Sequence, residues 1–259
     1  MVLRRSLRSF SSNFGLAGQL LAAESWSSLR PTLPLCSGQL EAFDEGAQFT
    51  CDQNFTYSKV LEAEADEALD SLAQIIAQDE PLAQAVSLTA DEFKTTIADQ
   101  FIRPSNFLKS SVQIKKNGKF AGLFIALDWA GLRRAASDKE AEAWSKLEQI
   151  VLFLNSTNLI DTPKSGVVCR DVTGGVVQEF RGQGLASKCL ALRLALAYHQ
   201  GYSYFVSEVP FICSNANKIY AKFLEFGSEM RFADFSYRGS KVFQGRPGGY
   251  VMLFRELTR

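Results

Sequence analysis

The feature that most constrains this chain is the run from Val176 to Ala186, Val-Val-Gln-Glu-Phe-Arg-Gly-Gln-Gly-Leu-Ala. An apolar stretch over 166–177 leads into it, and a long apolar segment over 185–200 leads out. A strand that turns into a helix through Gly182 and Gly184 leaves backbone N–H groups unpaired at the helix N-terminus, where the helix dipole adds positive potential. That geometry accepts a phosphate or pyrophosphate. Glycine lets the anion approach the backbone with no Cβ in the way. The competing reading is a plain tight turn between a strand and a helix.

Composition narrows the function classes. Hydrophobic residues make up 46% and charged residues 22%, as in an ordinary globular chain. The 28 basic residues balance the 28 acidic ones, so no global field draws the chain to nucleic acid or to an anionic membrane. Aromatic and basic residues do not interleave, which also speaks against a nucleic-acid substrate. Arg, Lys or Gly breaks every long apolar stretch well short of a membrane span, so no transmembrane segment is expected. Five cysteines (Cys36, Cys51, Cys169, Cys189, Cys213), odd in number and without a C-x-x-C pair, argue against a disulfide framework and a zinc site. Cys169 and Cys189 sit in apolar runs and read as buried thiols. His199 is the single histidine, at the end of the apolar helix, where a partly charged imidazole is favoured.

The periodicity predicts a mixed chain. Phe55 to Leu61 suits a first strand. A helix follows, with an acidic first turn and Ala65, Leu69, Leu72 and Ile76 on one stripe. Thr89-Ala-Asp-Glu92 is a capping box opening a helix with Phe93, Ile97 and Phe101 in line. Asn117-Gly118 joins two alternating stretches, 112–116 and 119–127, as a hairpin turn. Ser137 to Glu140 caps a further helix carrying Trp144, Leu147, Val151 and Leu154. After the glycine turn and its helix come a strand over 202–209, a helix over 215–226, and closing strands over 232–237 and 250–254. Between the first two helices lies Gln78-Asp79-Glu80-Pro81-Leu82. Proline restricts the residue before it, so Glu80 is expected in an extended turn.

The glycine turn resembles motif A of the GNAT superfamily of acyl-CoA N-acyltransferases, [Gln/Arg]-x-x-Gly-x-[Gly/Ala], with Arg181, Gly184 and Ala186 in its three positions. The element order over about 54–259 is similar as well. The resemblance implies an α/β (α+β) fold in which a mixed, mostly antiparallel twisted sheet is flanked by helices and splayed at the central strand. It implies acetyl-CoA as co-substrate, with pyrophosphate on the amides of Arg181, Gly182, Gln183, Gly184, Leu185 and Ala186, and pantetheine along Val176 and Val177. Glu80, before Pro81-Leu82, resembles the general base of the arylalkylamine N-acetyltransferase-like branch, acting directly or through water. Phe232-Ala-Asp-Phe235 with Gly239-x-x-Val242-Phe243 extends that likeness. Asn217 and Tyr220, three apart on a predicted helix, match the asparagine offered to coenzyme A and the tyrosine that protonates the thiolate. Asp171 on the central strand is the alternative base. The implied reaction moves an acetyl group to a small primary amine, arylalkylamine or polyamine-like, without a metal.

Residues 1–53 are expected to stand apart as an extension and linker. The first 23 residues hold Arg4, Arg5 and Arg8, several serines and no acid. That is the composition of an organelle transit peptide. Arg8-Ser-Phe-Ser-Ser12 resembles a mitochondrial cleavage site, with plastid and cytoplasmic destinations as alternatives. The extension also suits a second reading: a catalytically inactive accessory subunit of a large mitochondrial assembly, with coenzyme A bound structurally or lost. Asn54 and Asn155 fit a glycosylation pattern but read as polar loops.

Overall fold

The computed structural model describes residues 41–43, 48–51, 55–104, 106–130, 166–211, 213–237, 240–241, 243, 245 and 247–257. The predicted helix over 137–154, the transit-like start, Asn54, Asn155, Gly239 and Val242 lie outside the described residues.

Strand β1 (Phe49–Cys51) pairs with β2 (Phe55–Ser58), so the sheet begins before the first strand expected from sequence. Helix α1 (Ala65–Asp79) buries Leu69, Leu72 and Ile76, the predicted stripe. It ends where Pro81 opens the short α2 (Pro81–Ala85). In α3 the capping box forms in full, since the Thr89 hydroxyl accepts from the Glu92 N–H and the Glu92 carboxylate accepts from the Thr89 N–H. The helix starts as Ala90–Glu92 and continues in the wider π winding over Phe93–Ile102. There the Thr95 and Thr96 hydroxyls donate to the carbonyls of Asp91 and Glu92, taking acceptors an α-helix uses for its own backbone. The altered winding brings Ala98 and Ile102 into the core beside Phe93.

Strands β3 (Val112–Lys116) and β4 (Lys119–Asp128) close over Asn117 and Gly118, both at positive φ as the primed hairpin turn requires. Then come β5 (Val168–Val176), α4 (Leu185–His199), β6 (Tyr204–Pro210) and α5 (Ser214–Tyr220). Strand β7 (Glu225–Arg231) follows, with a two-strand hairpin of β8 (Ser236–Tyr237) and β9 (Ser240–Lys241), and last β10 (Gly249–Glu256).

The expected helix over 215–226 stops at Tyr220, and the chain from Glu225 becomes a strand against β10. Edge pairing decides this stretch: β10 would otherwise expose a row of unpaired backbone groups, which β7 covers. Phe232 and Phe235, read from sequence as strand residues, turn into an aromatic cluster with Phe243 and Tyr250 instead.

The eight-stranded sheet runs β1-β2-β3-β4-β5-β6-β10-β7. All neighbours are antiparallel except β5 and β6. Helices α1 and α3 pack with Leu123, Ile125 and Leu127 of β4 on one face. Helix α4 is apolar nearly all round, and its residues join two further clusters, with β2–β4 on one side and with β5, β6 and β10 on the other. The parallel pairing of β5 with β6 runs only from Val168–Tyr204 to Asp171–Ser207. Beyond it β5 continues to Val176 against β4, while β6 continues to Pro210 against β10. The sheet therefore splays at its central strand, as expected.

Candidate active site

The splay is bordered by the end of β5, the start of α4 and the end of α1. At the end of β5, Val176 lies opposite Gly122, and the Val177 N–H donates to the Ala121 carbonyl at 2.9 Å. In an antiparallel ladder that pattern turns the N–H and C=O of Val176 away from β4, toward the open side. The Val176 carbonyl accepts from Arg181 Nε at 2.9 Å, consistent with that direction. Of the two valines named from sequence, Val176 thus offers a backbone N–H to a ligand, whereas the N–H of Val177 is spent within the sheet.

Gly182 and Gly184 both adopt left-handed φ, at 78° and 74°. A Cβ built on either meets nothing within 4 Å, so the space above the turn is open. Gly184 is the N-cap of the 15-residue α4, whose first N–H groups have no intrahelical acceptor. Arg181, Gly182, Gln183 and Gly184 are exposed, Ala186 is half-buried, and Leu185 is buried in the core as the anchor of the turn. The cradle fits a pyrophosphate. The Arg181 guanidinium reaches back across the turn and pairs with Asp79, the last residue of α1, 102 positions away in sequence.

Gly175 explains how α1 comes so close: a Cβ there would sit 2.5 Å from Ile75 Cγ2. With α1 pressed on β5, its next residue, Glu80, arrives at the splay. Glu80 is extended (φ −83°, ψ 119°) and caps α2, its Oε2 accepting from the Ala83 N–H at 2.7 Å. The Tyr250 hydroxyl on β10 donates to its other oxygen, Oε1. Burial raises the Glu80 pKa to about 7, against the pull of backbone hydrogen bonds from Ala83 and Leu82. Cys213, at the head of α5, has its thiol pushed up by burial first and then by the Glu80 and Asp79 charges. Strand β5 and helices α1, α4 and α5 thus converge on one region.

Asn217 and Tyr220 share α5 but turn to different work. Asn217 Nδ2 donates to the carbonyls of Pro210 and Phe211 at 2.9 and 3.2 Å, fastening the end of β6. Its Oδ1 is buried with no hydrogen-bond partner among the described residues. The Tyr220 hydroxyl donates to Asp171 Oδ2 at 2.8 Å and accepts from Arg193 Nη2 at 3.3 Å. Asp171 also accepts from Ser207 Oγ at 3.0 Å and pairs with Arg193 Nη1. Burial, then the Asp171 charge, raises the Tyr220 pKa. This buried network stands at the last parallel pair, where β5 and β6 part. Asp171, the alternative base, is tied up in it. Sequence reasoning missed Tyr250, Arg193 and Asp79; the local pattern holds no signal for Tyr250, and an arginine inside an apolar helix was the signal for Arg193.

Solved structures share this arrangement of strands and helices. One is a Drosophila melanogaster polyamine N-acetyltransferase that catalyses formation of N-acetylagmatine, at TM-score 0.65 and 13% identity over 78% of this chain and 100% of that one. The chain has the GNAT fold. Arylalkylamine N-acetyltransferase 2 from Aedes aegypti gives TM-score 0.59 and 18% identity over 79% of this chain and 100% of that one. The C-terminal condensation domain of Ebony, in complex with beta-alanyl-dopamine, gives 0.63 and 12% over 78% and 98%. No protein-family profile matches the sequence, and no curated protein sequence does. At these identities the likeness establishes the fold, and function has to come from the site. Among the described residues no cluster of His, Cys, Asp or Glu is placed to hold a metal ion, and no helix is long and apolar enough to cross a membrane.

Proposed function

We propose that this GNAT-fold protein is an acyl-CoA N-acyltransferase that moves an acetyl group from acetyl-CoA to a primary amine. The observation that carries the reading is Glu80: a half-buried carboxylate, held at both oxygens, with its pKa raised to about 7, next to an open glycine cradle at the sheet's splay. Amines of the arylalkylamine and polyamine classes, on which solved proteins of this fold act, are the substrates to try first.

The chain's residues divide the work. The turn from Arg181 to Ala186 and the first turn of α4 hold the pyrophosphate, and Arg181 stiffens that turn against Asp79 and Val176. Asn217 lies on α5 with a buried Oδ1 that has no partner among the described residues and suits a ligand N–H or O–H. A primary amine with the lysine-like pKa of about 10.4 arrives protonated at neutral pH. The Glu80 carboxylate takes a proton from it, since a base is most effective with its pKa near the working pH. The nitrogen attacks the thioester carbon; the C–N bond forms, the C–S bond breaks and the sulfur leaves with the electron pair, and the second proton that the nitrogen sheds in becoming an amide goes to that thiolate. The Val176 N–H meets the charge that develops on the carbonyl oxygen.

The test is calorimetric titration of the protein with acetyl-CoA, followed by mass spectrometry of an amine panel incubated with both. Acetylated amine accumulating in proportion to enzyme is the expected result. Coenzyme binding with no amine modified would support the accessory-subunit reading instead.

A further inference from the structure

We propose that Tyr250 is the positioning residue of the amine site, its hydroxyl holding the Glu80 carboxylate in place and setting the pH at which that carboxylate accepts a proton. The inference rests on Glu80 being the proton acceptor.

Tyr250 lies on β10 opposite Pro210, on the strand pair that borders the splay. Its ring is buried and packs on Phe232 at 6.0 Å between centroids; Phe232 in turn meets Phe243 at 4.7 Å, and Phe243 meets Phe235 at 5.6 Å. A ring fixed in this way delivers its hydroxyl to one place, and it donates there to Glu80 Oε1. The Ala83 N–H takes Oε2. The carboxylate is clamped at both oxygens by strand β10 and helix α2, and each oxygen keeps a lone pair for the amine.

Packing alone does not require the hydroxyl, because phenylalanine fills the same space against Phe232. The hydroxyl matters for charge. Burial favours the protonated acid, and a hydrogen bond donated to the carboxylate favours the ionised base. Without Tyr250 the acid would hold its proton further into the alkaline range, where it accepts none from an amine at neutral pH. Of the titratable groups around it, Cys213 at the head of α5 feels the Glu80 charge, and Asp79, its neighbour on α1, is paired with Arg181 of the glycine turn. Helix α2, Pro-Leu-Ala-Gln-Ala, carries none.

The experiment compares wild type with Tyr250→Phe. With one amine throughout, so that the substrate's own titration cancels, kcat/KM is followed against pH. The acid limb of the variant is expected to move up by about one pH unit, as loss of one hydrogen bond to a charged group implies, with the high-pH plateau largely kept. In parallel, the Glu80 carboxyl titration is followed by ¹³C NMR, its signal assigned by disappearance in Glu80→Gln. Its midpoint should move in the same direction, and this readout needs no turnover. An unmoved midpoint, or a rate loss equal at every pH with the limb unshifted, overturns the proposal. A moved midpoint in a protein that acetylates no amine upholds the Tyr250–Glu80 relation and removes the transferase reading beneath it.

Discussion

Replacing Arg193 with methionine tests the network that stands where β5 and β6 part. The guanidinium is buried over the rings of Phe124 and Phe205, at 4.9 and 5.9 Å from their centroids, and pairs with Asp171. Methionine keeps much of the apolar stem and its contact with the rings. What disappears is the cation, leaving a buried carboxylate with the Ser207 and Tyr220 hydroxyls as its side-chain donors among the described residues. Breaking a buried pair from one side costs about 3–5 kcal/mol. Asp171→Asn breaks it from the other side, stranding the guanidinium at a similar cost. The double variant has no unpaired buried charge, so its loss should fall short of the sum by about 2–3 kcal/mol. Urea unfolding at pH 7 measures all four proteins, with the slope checked for constancy before midpoints are converted. Single losses below about 1 kcal/mol, or strict additivity, would refute the claim that a charge pair holds this junction.

Other outcomes follow from the same structure. Acetyl-CoA should raise the melting temperature of the wild type by mass action, whereas Gly184→Val, forced to φ 74° with a side chain in the open cradle, should lose that shift; an equal shift in the variant contradicts the cradle. Because the Glu80 pKa is raised to about 7, its contribution to stability is intact below the unfolded value of 4.5 and declines as pH rises through 7. Thermal melts of wild type should therefore weaken relative to Glu80→Gln between those values, and parallel melting curves across pH 4 to 8 would show that burial does not penalise the charge. We propose mitochondrial targeting from the acid-free, arginine- and serine-rich start: residues 1–30 fused to a fluorescent protein should enter mitochondria, and a cytosolic fusion removes the argument.

Local physics made part of this protein readable from its sequence. Gly182 and Gly184 announce left-handed turns, Asn117-Gly118 a hairpin, Thr89 and Glu92 a helix start, and Pro81 the extended backbone at Glu80. Each signal is complete within a few residues. The strand β7 was hidden because Phe223, Leu224 and Phe226 suit a helical stripe, and only the open edge of β10 makes the stretch extended. The partners in the site were hidden for a different reason. Arg181 meets Asp79 across 102 positions and Tyr250 meets Glu80 across 170, separations at which no periodicity carries information. Sequence could place Tyr220 and Asp171 on a helix and a strand, but not show that Arg193 binds both.

We propose that Glu80 accepts the proton of an amine attacking acetyl-CoA. Its most direct test is the pH dependence of amine acetylation by wild type and Glu80→Gln, with coenzyme affinity measured alongside. Glu80→Gln should lose about 10²–10⁴-fold in rate at neutral pH. That loss should shrink as pH rises toward the amine's own pKa, and acetyl-CoA should bind nearly as before. Equal rates for the two proteins at pH 7, with acetyl-CoA bound by both, would contradict it.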